Sequence, residues 1–93
     1  MENQDEFLER REYLRKTYTP GKGPRLKIGI NDFEVIDISR KGIKFNKGKK
    51  INVEGWVQGS IMFNDNRHVN FDGIVVRNRD GEIGLHLIDP IDV

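Results

Sequence analysis

Two short polar clusters hold the side chains best suited to chemistry. The first is Arg10-Arg11-Glu12-Tyr13-Leu14-Arg15, in which Arg11 and Arg15 form an RxxxR spacing. On a helix that spacing puts both guanidinium groups on one face, and in a collapsed arm both could close on one ligand. A guanidinium grips phosphate bidentately, matches the O6 and N7 acceptors of guanine, and stacks on a purine plane. The second cluster is Asp37-Ile38-Ser39-Arg40-Lys41-Gly42. In an extended chain residues i and i+2 project together, so Asp37 and Ser39 share a side while Ile38 points to the interior. Residues 39–42 fit a type I turn, which favours Ser at its first position and Gly at its fourth. Alone, this is an ordinary hairpin, and RxxxR alone is a solvated helix face in a chain with eight arginines. A carboxylate beside a hydroxyl, however, also matches the N1–H and N2–H₂ donors on guanine's Watson–Crick edge.

Little else is suited to catalysis. His68 and His86 stand eighteen residues apart, without the spacing of a metal site or a paired carboxylate. No serine lies in a GxSxG elbow, and the ten glycines form neither a phosphate-binding loop nor a dinucleotide fingerprint. With no cysteine there is no disulfide and no thiolate metal site. These absences argue for a binding protein and against an enzyme, with no cofactor expected. The acidic start and apolar runs of at most three residues predict a soluble, cytoplasmic chain without membrane insertion.

The net charge of +1 conceals segregation along the chain. Residues 1–9 carry four acids and no base, and residues 10–27 carry seven cations against one acid. Residues 28–39 add three acids, residues 40–50 six cations, and residues 51–93 a net −4. Two cationic blocks converging on one face would favour a compact anionic partner.

The elements that must position these clusters are mainly strands. Ninety-three residues with 35% hydrophobic content make one module with one core. From residue 25 the apolar period is two, predicting strands over 25–30, 33–38, 43–45, 56–63, 68–77 and 82–88. Leu26, Ile28 and Ile30 would share the inner face of the first, with a turn at Asn31-Asp32. Trp56, Phe33, Phe45, Phe63 and Phe71 all fall in strands and are expected in the core. Six short strands with tight turns predict an all-β antiparallel barrel or sandwich, and closure into a barrel would hide the edges. Residues 1–16 are rich in helix formers, with Glu6/Arg10 and Glu12/Lys16 at i, i+4 spacing. A short N-terminal helix or flexible arm over 1–24, hinged at residues 19–24, should therefore precede a barrel over 25–93.

An RxxxR near the N-terminus followed by DxSxxG at the end of the second strand resembles the PilZ domain family of bacterial cyclic diguanylate (cyclic di-GMP) receptors. The likeness covers residues 10–88: Gly73-Ile74-Val75-Val76-Arg77 is similar to the family's penultimate strand and Ile83-Gly84-Leu85-His86-Leu87 to its last. It implies a six-stranded antiparallel barrel and a ligand with two guanines and a two-phosphate ring. By motif position, Arg11 and Arg15 would clamp phosphate and the Hoogsteen edge of guanine. Asp37 and Ser39 would hold the other guanine edge, and Gly42 would keep the turn close to the ligand. Arg10 would add a third guanidinium, which in this family accompanies two intercalated ligand molecules. Arg40 and Arg77 are secondary candidates for the same face. The implied role is a monomeric or weakly dimeric receptor that relays the messenger to an unidentified downstream protein in motility, biofilm or polysaccharide control. Two departures stand out: many members carry a helix after the last strand, where this sequence has Asp89-Pro90-Ile91-Asp92-Val93, and the first hairpin looks short. A covering element, the N-terminal helix or a second subunit, would then be needed at one barrel end. The competing readings are a PilZ-like adaptor that docks a protein without ligand, and a small barrel binding nucleic acid. The latter is disfavoured because the aromatics are expected inside and not among the cations.

Overall fold

The computed structural model describes residues 15–48 and 52–93. Seven antiparallel strands run in chain order: β1 (Lys16–Thr17), β2 (Arg25–Ile28), β3 (Asn31–Ile38), β4 (Gly42–Asn46), β5 (Trp56–Met62), β6 (His68–Arg79) and β7 (Glu82–Leu87). Their order across the sheet is β1-β3-β2-β5-β6-β7-β4, and β3 also pairs with β4. That last pairing closes β2 to β7 into a six-stranded barrel, with β1 as an extra strand. The predicted barrel is therefore found, and no helix occurs among the described residues.

Period-two patterning explains the core. Leu26, Phe33, Val35, Ile38, Ile43, Phe45, Val57, Ile61, Phe63, Phe71, Ile83, Leu85 and Leu87 are all buried. Phe33 and Phe45 pack with ring centroids 5.0 Å apart at 47°, a tilted contact favoured by the ring quadrupoles. Four of the five aromatics expected inside are there. Trp56 is the correction, since it opens β5 facing outward and is 69% exposed.

The first hairpin turns elsewhere than expected. Ile28 pairs with Asn31, which leaves Gly29 and Ile30 as its two loop residues. Gly29 has φ +64°, the left-handed backbone that the first position of a tight hairpin turn requires and that glycine adopts without cost. Ile30 consequently sits at the tip, 97% exposed, and not on the inner face. At the other hairpin the strand runs on to Arg79, because Asp80 and Gly81 (φ 55° and 81°) suffice for the turn.

The N-terminal segment also departs from expectation. Lys16 and Thr17 form a strand, paired with Ile38 and Asp37. β2 occupies one edge of β3 over its first half and β1 takes the same edge over its second. The stretch expected to hinge is tied to β3 as well. The Tyr18 N–H donates to the Ile36 carbonyl (2.9 Å) and the Val35 N–H to the Pro24 carbonyl (3.1 Å), while the Gly21 N–H donates to the Glu34 carboxylate. Residues 1–14, the bulk of the expected helix, lie outside the described residues.

One barrel end is covered by the chain's own last residues. Ile91 is 8% exposed, and Val93 packs partly buried against the same cluster. The Ile91 N–H donates to the Arg40 carbonyl (2.8 Å), anchoring this tail to the turn between β3 and β4.

Candidate functional site

The site begins with an irregularity in β3. Phe33 and Val35 point inward, and strict alternation would turn Asp37 inward with them while expelling Ile38. The β3–β4 register instead shifts between Val35 and Asp37, leaving Ile36 as one extra residue. Such a bulge re-aims every side chain beyond it. Ile38 therefore enters the core opposite Ile43, and Asp37 comes to the outer surface opposite Lys44. The sequence expectation of Asp37 outside and Ile38 inside is met, by a device that the apolar pattern did not reveal.

Although it is on the outer face, Asp37 is only 7% exposed. Two cations cover it: Arg15 Nη1 donates to Oδ1 at 2.6 Å, and Lys44 Nζ lies 3.7 Å from Oδ2. The short strand β1 makes the first contact possible, since pairing Thr17 with Asp37 carries the preceding Arg15 across the sheet edge. Ser39, 3% exposed, follows Ile38, and its N–H donates to the Gly42 carbonyl (2.8 Å) to close the hairpin around Arg40 and Lys41. A Cβ on Gly42 would lie 3.5 Å from Ser39 Oγ and 3.7 Å from Arg15 Nη2. Four predicted site residues, Arg15, Asp37, Ser39 and Gly42, thus converge on one spot. Arg10 and Arg11 lie outside the described residues.

The same outer row continues across the barrel. Thr17 pairs with Asp37, Asp37 with Lys44, Lys44 with Gly84, and Gly84 with Arg77. A second register shift, between Val75 and Arg77, leaves Val76 as the extra residue and re-aims Arg77 in the same way. Between the two bulges lies a cavity of about 350 Å³ lined by Arg15, Asp37, Lys44, Val76, Arg77 and Gly84. Sequence reasoning singled out Arg77 but missed Lys44 and Gly84. Lys44 was within reach: counting outward from the turn places it opposite Asp37. Arg40 lines no part of this cavity and instead offers its carbonyl to the tail.

A larger cavity, about 880 Å³, lies against β2, β5, β6 and the tail. It is lined by cations and acids together, Lys27 and Arg67 with Asp72, Asp89 and Asp92, and by none of the motif residues. Among the described residues, two titrating groups depart from their ordinary values. Burial pushes the Tyr18 hydroxyl up, opposed by the Arg67 charge. The Arg67 backbone N–H holds the Asp65 carboxyl below its usual range. Both belong to the scaffold.

Among the described residues no group of three or more side chains is arranged to hold a metal ion, and no helix is long and apolar enough to cross a membrane. What converges is a paired carboxylate, a buried hydroxyl and several cations beside an open notch. No curated protein matches the chain. Among solved structures it is similar to the crystal structure of the Legionella uncharacterized protein Lpg0364, with a TM-score of 0.61 and 27% identity, covering 83% of this chain and 78% of that one. The family model described as PilZ domain matches residues 9–93. That span takes in the RxxxR and DxSxxG clusters together with the whole barrel that brings Arg15 onto Asp37, and the chain belongs to the PilZ domain family.

Proposed function

We propose that the chain is a cyclic di-GMP receptor whose site is built from Arg10, Arg11, Arg15, Asp37, Ser39 and Gly42. The observation that carries this reading is the 2.6 Å contact of Arg15 with Asp37, which unites two motifs 22 residues apart in sequence. Family membership supports the ligand class, because PilZ domains bind cyclic di-GMP and are not enzymes. Asp37 and Ser39 accept from and donate to the Watson–Crick edge of guanine, while Arg15, with 57% of its side chain exposed, turns from Asp37 to phosphate or to O6 and N7. Arg11 completes the clamp, and Arg10 recruits a second, intercalated ligand molecule.

Residues 16–24 are already tied to β3, so the part of the arm that closes on the ligand is the stretch up to Arg15. Its closure changes the surface offered to a downstream protein partner. Calorimetric titration with cyclic di-GMP, using GMP and cyclic di-AMP as controls, tests the reading. Saturable heat specific to cyclic di-GMP, at two ligands per chain, is expected. One ligand per chain would remove the role given to Arg10, and no heat at all would favour a protein-docking adaptor.

A further inference from the structure

The cavity extends past the motif residues to a part of the surface that neither motif covers. Gly84 lies on the outer row between Lys44 and Arg77. Having no side chain, it leaves a notch flanked by two cations: a Cβ there would come within 3.2 Å of Arg77 Cβ. Arg77 forms no ion pair with any described residue. Lys44 is held only loosely, at 3.7 Å from Asp37. Two under-used cations facing a gap in a cavity of about 350 Å³ form an anion subsite in search of its charge.

We propose that the Lys44–Gly84–Arg77 notch binds a phosphodiester of the ligand, a second one beyond that clamped by the N-terminal arginines. This rests on the ligand reading above. Strands in a sheet are spaced about 4.8 Å apart. A guanine held at Asp37 therefore leaves the remainder of a dinucleotide lying over the next one to three strands, which are Lys44, Gly84 and Arg77. The notch explains why a ligand with two phosphates would be preferred to a mononucleotide with the same base. It also gives the second bulge a purpose, since without Val76 as the extra residue Arg77 would face inward.

Lys44 also touches Asp37, so a test must separate binding from positioning. Cyclic di-GMP affinity is measured by calorimetry for the wild type, Lys44→Met, Arg77→Met, Asp37→Asn and the double variant Asp37→Asn/Lys44→Met, with circular dichroism melts to verify folding. Removing one charge-assisted contact should weaken binding about tenfold in each of Lys44→Met and Arg77→Met. Lys44→Met should cost a similar factor in the Asp37→Asn background, as independent contacts add. If the double variant binds like Asp37→Asn alone, Lys44 acts through Asp37 and the subsite is refuted. Wild-type affinity in both single variants refutes it too. No heat from the wild type itself would overturn the ligand reading and, with it, the subsite built on it. Gly84→Ala supplies a further check: a methyl in the notch, 3.2 Å from Arg77 Cβ, should weaken cyclic di-GMP and lower the melting temperature somewhat, and wild-type affinity in the folded variant would count against the subsite.

Discussion

Asp37 is a nearly buried carboxylate under two cations, and its neighbours should be sensitive to substitution in different ways. Arg15→Ala removes up to two charge-assisted bonds to ligand, so affinity for cyclic di-GMP should fall by about ten- to a hundredfold or more in calorimetry. Arg15→Lys retains the charge without the planar fork and should recover only part of that loss. Asp37→Ala should cost less affinity and more discrimination, narrowing the preference for cyclic di-GMP over cyclic di-AMP. Gly42 behaves differently from a strained glycine, as the nearest atoms to an added Cβ are at ordinary contact distances of 3.5 Å or more. Gly42→Ala should keep the wild-type melt while placing a methyl between Ser39 and Arg15, so weaker binding without loss of stability is the expected signature.

At the scale of elements, turns and bulges decide what each strand presents. Gly29→Ala should lower stability by about 1 kcal/mol, the cost of a Cβ in left-handed backbone, with binding unchanged. Deleting Ile36 tests the bulge itself: Asp37 then follows Val35 directly, their partners Phe45 and Lys44 are already consecutive, and strict alternation keeps Asp37 outside and Ile38 inside, so a folded barrel that still binds is the expected result. In the β5–β6 turn, Asp65 accepts from the Arg67 N–H (3.0 Å) and Nε (3.1 Å). Because its carboxyl is held low, the stabilisation it provides is fully present at neutral pH and is lost only as pH falls through the folded value. An NMR carboxyl titration should find Asp65 titrating below the exposed carboxylates. These cases mark how far the sequence could be read. Six barrel strands and four of the five core aromatics followed from period two, and the motif positions of Arg15, Asp37, Ser39 and Gly42 followed from residue type and spacing. The bulges at Ile36 and Val76 were hidden, since an extra residue within an apolar run looks the same as continued alternation. β1 was hidden because two residues hold no periodicity, and helix propensity upstream pointed the other way. Trp56 was misplaced because β-propensity does not distinguish the two faces of a strand.

The barrel as a whole is closed by its own tail, and the tail is bonded to the turn that carries the motif. Arg40 and Lys41 offer their carbonyls to the Ile91 and Leu87 N–H groups, both at 2.8 Å, and Lys41 Nζ donates to the Ile88 carbonyl (3.2 Å). Ile91→Ala should therefore lower stability by about 2 kcal/mol, at the lower end for a buried isoleucine because it sits at the barrel mouth. In urea unfolding, that loss should be accompanied by faster amide exchange in residues 39–42, which a purely local defect in the tail would leave unchanged. The outward face of β5 has a practical consequence for all such measurements. Trp56 is the chain's single tryptophan, it is 69% exposed, and Ile74 and His86 separate it from Gly42 across the sheet. Its emission already reports water in the folded protein, so loss of the barrel barely moves that signal. An optical probe of unfolding for this molecule is backbone circular dichroism, which leaves the indole free to sense whatever is placed against the outer wall of the barrel.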